Sequence, residues 1–388
     1  MKKILLGTSA LIGAAVLLAG AANAEDPKVT VGGFSTFEAG WSKSDNTGSQ
    51  HQVAFRNDNE IHFNIAGKTD AGLGYGAEID LQADIDGSSA TAQGSTNSGI
   101  NARRTYGYLQ GDQWGHIEYG SNDSAARNLK VDASNIARAT GGIDGDWYLF
   151  ADVNGGGTAT TFGGGKFITV PRLPIEAGPA VGFASDVYGN DTKITYYTPR
   201  FSGFQLGVSY APELSNRGQA TNRSFATDTA SNVWSGGLNY ENQFDQLGVA
   251  AAVTGESAKS DAAATGKSVE AWNAGLKLSY MGFSAAGSYG DWRDSFAASG
   301  TKADYWTGGI AYETGPVGAS VTYLGSETKP TGFNNKFQDV SVGVDYKLAP
   351  GLTPFVEYTW YDLNPTGTGT TGTENKGNVV IVGSQLSF

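Results

Sequence analysis

The chain contains no cysteine. That excludes a disulfide framework, a thiolate nucleophile and any cysteine zinc site. Histidine is nearly as scarce, with three in the chain: His51, His62 and His116. Basic residues are outnumbered, 26 Lys and Arg against 38 Asp and Glu, for a net charge of −12. Such a balance excludes the basic footprint that nucleic acid requires. At long range it attracts cations and repels anions. Long apolar runs are also missing after the first residues, so no segment reads as a transmembrane helix. No G-x-S-x-G nucleophile turn is present. The stretch "GGGTATTFGGGK", Gly155–Lys166, has no strand leading in and no helix following, so it is read as a loop and not as a phosphate cradle.

The one apolar run is N-terminal. Met1-Lys2-Lys3, then Ile4–Ala22, then the small-x-small site Ala22-Asn23-Ala24 predict a secretory signal peptide over residues 1–24. Its removal leaves residues 25–388 and takes the net charge from −12 to −14 by loss of Lys2 and Lys3.

What the chain has in excess is glycine, 56 of 388 residues, and aromatics, 11%. Period-two alternation runs almost throughout, with little helical periodicity. In "GLGYGAEIDLQADI", Leu73, Tyr75, Ala77, Ile79, Leu81, Ala83 and Ile85 share one parity; Glu78, Asp80, Gln82 and Asp84 share the other. Glu60, His62 and Asn64 alternate with Ile61, Phe63 and Ile65. Many apolar faces carry Tyr, Trp or Phe near a strand end, where an aromatic girdle at a lipid–water boundary would lie. The opposite faces are small, polar or charged and suit a wet lumen. Mean hydropathy is −0.27, as expected if half of every strand faces water. A sandwich with one solvated face looks similar strand by strand.

Turn spacing favours a barrel. Tight Gly, Pro or Asp turns fall near residues 70, 112, 202, 244, 282, 315 and 350. They recur roughly every 35–42 residues, the length of a two-strand hairpin with one short turn and one longer loop. Seven such turns join fourteen strands; one more at each end, "VTVGGFSTFEAGW" and "GNVVIVGSQLSF", makes sixteen. The fold expected is all-β, a 16-stranded antiparallel transmembrane β-barrel, with long polar loops opposite the short turns. One interval, of about 90 residues, breaks the rhythm; its excess is placed at about 121–191, and a loop of that length is usually functional. It contains Trp147, Tyr148, Phe150, Phe162 and Phe167, which need a surface to pack on.

The stretches "RRTYGYLQGDQWGHIEYGSND", "ITYYTPRFSGFQLGVSYAPE" and "VVIVGSQLSF" resemble the general porins of Gram-negative outer membranes, in the short acidic style of alpha-proteobacterial porins. The resemblance implies a homotrimer embedded among outer-membrane lipid and lipopolysaccharide. It also implies a third outer loop folded into the lumen, and a C-terminal Phe388 read by the barrel-insertion machinery. It carries over Arg103 as a basic residue on the constriction wall. His62 stands where the family often has another arginine, and Arg56 and Lys193 are substitutes by parity and proximity. On the loop side the acidic candidates are Asp123, Asp132, Asp144, Asp146 and Asp152, with "GGIDGDWYLF", Gly141–Phe150, as the tip. Glu60, Glu78, Asp80 and Asp84 form an acidic lumen group that tilts the pore towards cations.

The function expected is a water-filled pore for passive diffusion of small hydrophilic solutes and ions, mildly cation-selective, working by size and field with no covalent step. A substrate-selective channel, an outer-membrane barrel enzyme and a secreted all-β binding module are the rival readings. No cofactor and no nucleic-acid partner is expected. The acidic loops "DNTG", Asp45–Gly48, and "GNDTK", Gly189–Lys193, offer oxygen donors of the kind calcium takes.

Overall fold

The computed structural model describes residues 25–45, 52–83, 100–151, 167–177, 189–214, 218, 230–260, 268–295, 302–329, 333–367 and 374–388. Residues 1–24, His51, Asp84 and Asp152 lie outside them, so the signal peptide and two of the acidic candidates have no structural account.

Sixteen antiparallel strands close into one barrel. They are β1 (Glu25–Ser44), β2 (Val53–Lys68), β3 (Gly74–Gln82), β4 (Asn101–Gly111), β5 (Gly115–Ser121), β6 (Thr192–Tyr197), β7 (Phe204–Glu213) and β8 (Ala230–Phe244). The second half comprises β9 (Leu247–Ser260), β10 (Val269–Tyr280), β11 (Phe283–Arg293), β12 (Lys302–Thr314), β13 (Val317–Lys329), β14 (Phe333–Tyr346), β15 (Leu352–Gly367) and β16 (Asn375–Ser387). All seven short turns fall where the punctuation put them, between β2/β3, β4/β5 and so on to β14/β15. Several are tightened by left-handed residues, such as Met281 and Gly282, a pair with φ of 49° and 87°.

The seam is made by the chain ends. Phe34 pairs with Ser387 and Trp41 with Val380, and beyond the last ladder pair Gly33 and Phe388 exchange two 3.1 Å main-chain hydrogen bonds. Every strand therefore has two neighbours, and no edge is left open.

Burial is inverted relative to a water-soluble domain. Phe55 is 70% exposed and Ile310 64%, together with Leu206, Leu278, Val344, Val382 and Leu386. Asn273, Thr322, Asp339, Ser341 and Glu357, one parity away, are buried. A continuous apolar exterior this large needs lipid to cover it. The sandwich reading fails here, because both its sheets would bury the apolar parity.

Residues 122–151 and 167–177 do not extend outward from the rim. They run along the inner wall through α1 (Ala125–Leu129), two 3₁₀ turns (Ala133–Ile136 and Gly142–Asp144), α2 (Trp147–Phe150) and α3 (Pro174–Ala177). In order, α1 meets β6 to β9, the first 3₁₀ turn β11 to β13, the second β13 and β14, and α2 β16 and β1. Glycines on the inward parity make room for this path. A Cβ at Gly275 would overlap the Val131 carbonyl; one at Gly40 would enter the Phe150 ring, and one at Gly318 the Arg138 guanidinium. Part of the glycine excess is therefore a groove for the internal segment.

The inner wall is also less uniformly wet than alternation suggested. Phe337, Phe355, Tyr361, Leu363, Val379 and Ile381 are buried against Trp147, Phe150 and Ile143 of the segment. Trp147 stacks on Phe337 and Tyr361, with ring centroids 6.0 and 5.4 Å apart. This is the surface that Trp147, Tyr148, Phe150 and Phe167 of the long connection required; Phe162 lies outside the described residues. It explains the apolar patches on the inward faces of β14 to β16: the internal segment covers them.

Candidate functional site

The internal segment and the wall of β1 to β5 bring most of the predicted charged residues together, as contacts and not as two banks across a gap. Arg56 on β2 lies 3.1 Å from Glu38 on β1, 3.0 Å from Asp58 and 3.1 Å from Asp146 at the start of α2. A wall arginine and a loop aspartate expected on opposite sides thus form a direct pair. Three carboxylates converge on this one guanidinium.

A second group centres on β2 to β4. Asp80 pairs with Arg104 in register, while Leu81 pairs with Ala102, so Arg103 is one extra residue in β4, a β-bulge. Strict alternation would send Arg103 and Arg104 to opposite faces; the bulge lets both reach inward carboxylates. Arg103 donates to Glu60 at 2.6 Å, and Arg104 approaches Asp80 at 2.7 Å and Asp123 at 3.1 Å. Glu78 accepts from the Tyr106 hydroxyl at 3.0 Å. His62 lies 2.8 Å from Glu60. Arg104 was not singled out from the sequence. The doubled arginine at 103–104 was the available signal, but a bulge is visible only in the ladder.

Asp123 begins the internal segment, buried beside Arg104 and 3.5 Å from Arg127. Burial opposes its ionisation, but the guanidiniums of Arg127, Arg104 and Arg103 outweigh it and hold its carboxyl well below the usual carboxylate range. Asp132 is fully buried: it caps the first 3₁₀ turn through Ser134 N, 2.8 Å away, and pairs with Lys130 at 2.7 Å. Asp144 takes Arg172 of the same segment at 3.0 Å. Lys193 on β6 is buried, and its ammonium donates to the carbonyls of Asn122 and Gly189, tying together the two ends of the long connection. The ammonium thereby occupies one carbonyl of the "GNDTK" stretch. Of "DNTG", residues 46–48 lie outside the described residues.

Other residues that hold the segment gave no local signal. Glu357 on β15 accepts from Thr140 Oγ1 at 2.7 Å, Thr140 N at 3.2 Å and Gly142 N at 3.1 Å. Arg138 reaches Asp345 at 2.9 Å and Glu313 at 3.4 Å. Glu256 accepts from Ile175 N at 2.8 Å. These contacts span 81 to 217 residues of sequence. Phe388 is exposed on the apolar exterior, beside the seam.

The arrangement is an inner wall lined with paired charges, which the internal segment meets through ion pairs and hydrogen bonds. Comparison with known proteins agrees with the architecture. A family model described as Gram-negative porin matches residues 8–366. An uncharacterised protein of Rickettsia typhi is 25% identical over 476 aligned positions, and one of Rickettsia prowazekii 24% over 475, each covering both chains in full. Among solved structures, the anion-selective porin from Comamonas acidovorans superposes with a TM-score of 0.60 at 15% identity, covering 94% of this chain and 100% of that one. Salmonella typhi OmpF in complex with daunomycin also gives 0.60 at 15% identity, covering 93% and 97%. The match runs through fifteen of the sixteen strands, and this chain belongs to the Gram-negative porin family, its barrel an outer-membrane channel.

Proposed function

We propose that the channel is a passive diffusion pore for small hydrophilic solutes and inorganic ions, with a mild preference for cations. The observation that carries the cation preference is the state of the wall arginines. Arg56 is surrounded by Glu38, Asp58 and Asp146, and Arg103 and Arg104 are each engaged by inward carboxylates. A guanidinium neutralised at contact distance exerts little pull on an anion, and the remaining acidic excess sets the field. The internal segment narrows the lumen and selects by size. The chain acts as a homotrimer in outer-membrane lipid and lipopolysaccharide, exported by the signal peptide and inserted through its Phe388-terminated strand. The exposed, stacked pair Phe37–Phe55 on β1 and β2, 5.9 Å between centroids, supports a subunit contact beside the seam.

The test is conductance in a planar bilayer. Ohmic steps that close in threes, with a reversal potential favouring K⁺ over Cl⁻ in a salt gradient, are expected. No conductance would sink the pore; a reversal favouring Cl⁻ would sink the cation preference alone.

A further inference from the structure

We propose that Glu60, His62 and Asp80 form a site on the lumen wall for a borderline-soft divalent metal ion of the zinc class. His62 and Asp80 face each other in register across β2 and β3, and Glu60 lies two residues along β2 on the same face. One donor atom from each converges: His62 Nε2 is 2.8 Å from Glu60 Oε2 and 4.0 Å from Asp80 Oδ1, and all three lie within 4.8 Å of one another. A tetrahedral zinc ion bonded at about 2.0–2.2 Å keeps its donors roughly 3.4 Å apart. The gaps of 2.8 and 4.0 Å bracket that spacing, so small side-chain rotations complete the set.

A second observation points to a ligand independently of this clustering. Asp80 is 0% exposed, yet its Oδ1, the oxygen turned towards His62, has no hydrogen-bond partner. An unsatisfied buried carboxylate oxygen is costly, and in native proteins it calls for a missing water or ion. The other oxygens are already committed: Arg104 holds Asp80 Oδ2 at 2.7 Å and Arg103 holds Glu60 Oε1 at 2.6 Å. Arginine thus fixes each carboxylate from behind, the outer-shell role that orients metal ligands, and turns Asp80 Oδ1 and Glu60 Oε2 towards His62 Nε2; a bound ion would replace the 2.8 Å contact between Glu60 Oε2 and that nitrogen. His62 keeps partial access to the lumen, which gives an ion its entry path and leaves a coordination position for water. The imidazole decides the class of ion: Mg²⁺ and Ca²⁺ take oxygen sets, whereas zinc, copper and nickel ions accept nitrogen. The two guanidiniums lower the local negative potential, so micromolar rather than nanomolar affinity is expected.

The test is calorimetric titration of the purified protein in detergent with ZnCl₂, a readout independent of ion passage. One Zn²⁺ per protomer is expected, with no matching heat from MgCl₂. His62→Gln and Asp80→Asn are each expected to weaken binding at least about tenfold, while both variants keep the heat-modifiable mobility of a closed barrel. Should either variant misfold, X-ray absorption of the zinc-loaded natural protein must show mixed nitrogen and oxygen ligation. Stoichiometric binding that survives His62→Gln, an equal response to Mg²⁺, or no binding below millimolar Zn²⁺ would overturn the site and leave the diffusion pore untouched.

Discussion

Removing the Glu357 carboxylate should release the second 3₁₀ turn from the wall. Glu357 is 1% exposed, and its two oxygens accept three hydrogen bonds, from Thr140 Oγ1, Thr140 N and Gly142 N. Hydrogen bonds to a carboxyl group contribute about 0.5–3 kcal/mol each, and a shared carboxyl does not give three independent terms. Its own desolvation offsets part of the gain. In Glu357→Ala the buried Gly142 amide also loses its acceptor. A loss of about 3 kcal/mol in local docking is a reasonable net figure, and it raises the undocked population about 150-fold. The wall pairing of β14 with β15 and of β15 with β16 does not involve this side chain, so the barrel should stay closed. Hydrogen exchange followed by mass spectrometry reads the effect directly, because the protection of amides in peptide 138–150 tracks the docked state. Exchange there should accelerate by about two orders of magnitude while wall peptides stay unchanged. Equal exchange of peptide 138–150 in variant and parent, with both barrels intact, would refute the anchoring argument.

Other expectations are more compact. Gly275→Leu places a side chain where Val131 carries its carbonyl, so the α1 end of the segment must shift; overpacking of this kind costs about 1–3 kcal/mol, read as a lower melting temperature and altered open-channel noise. Asp123 carries a depressed carboxyl pKa, so its contribution is present above the unfolded value near 4 and is lost only as pH falls through the lower folded value. Asp123→Asn should therefore lower thermal stability at neutral pH, with the difference shrinking only in strong acid; a gap that closes between pH 7 and 5 would contradict this. Deleting Phe388 removes two main-chain hydrogen bonds to Gly33, about 1 kcal/mol each, and an exposed apolar group from the seam. Phe388→Ala keeps the backbone bonds, so a defect in assembly shared by both variants assigns the role to the ring and one confined to the deletion assigns it to the seam.

The sequence by itself determined the wall. Alternation is a property of extended backbone, and turn chemistry is carried by two or three adjacent residues. The sixteen strands, their seven short turns and the outward parity of Leu206, Leu278, Val344 and Phe388 could therefore be read locally. Tertiary structure decided the inside. Whether Asp146 faces Arg56 across water or binds it depends on where a long connection lands, and no local pattern encodes that path. The bulge that turns both Arg103 and Arg104 inward exists only in the pairing of β3 with β4. By parity alone the wall glycines are lumen lining; in the closed barrel Val131, Phe150 and Arg138 occupy the space a Cβ would take. Strand parity is set by geometry within a few residues. The charge pattern of the lumen is set by contacts between residues up to 217 positions apart, which only the closed barrel brings together.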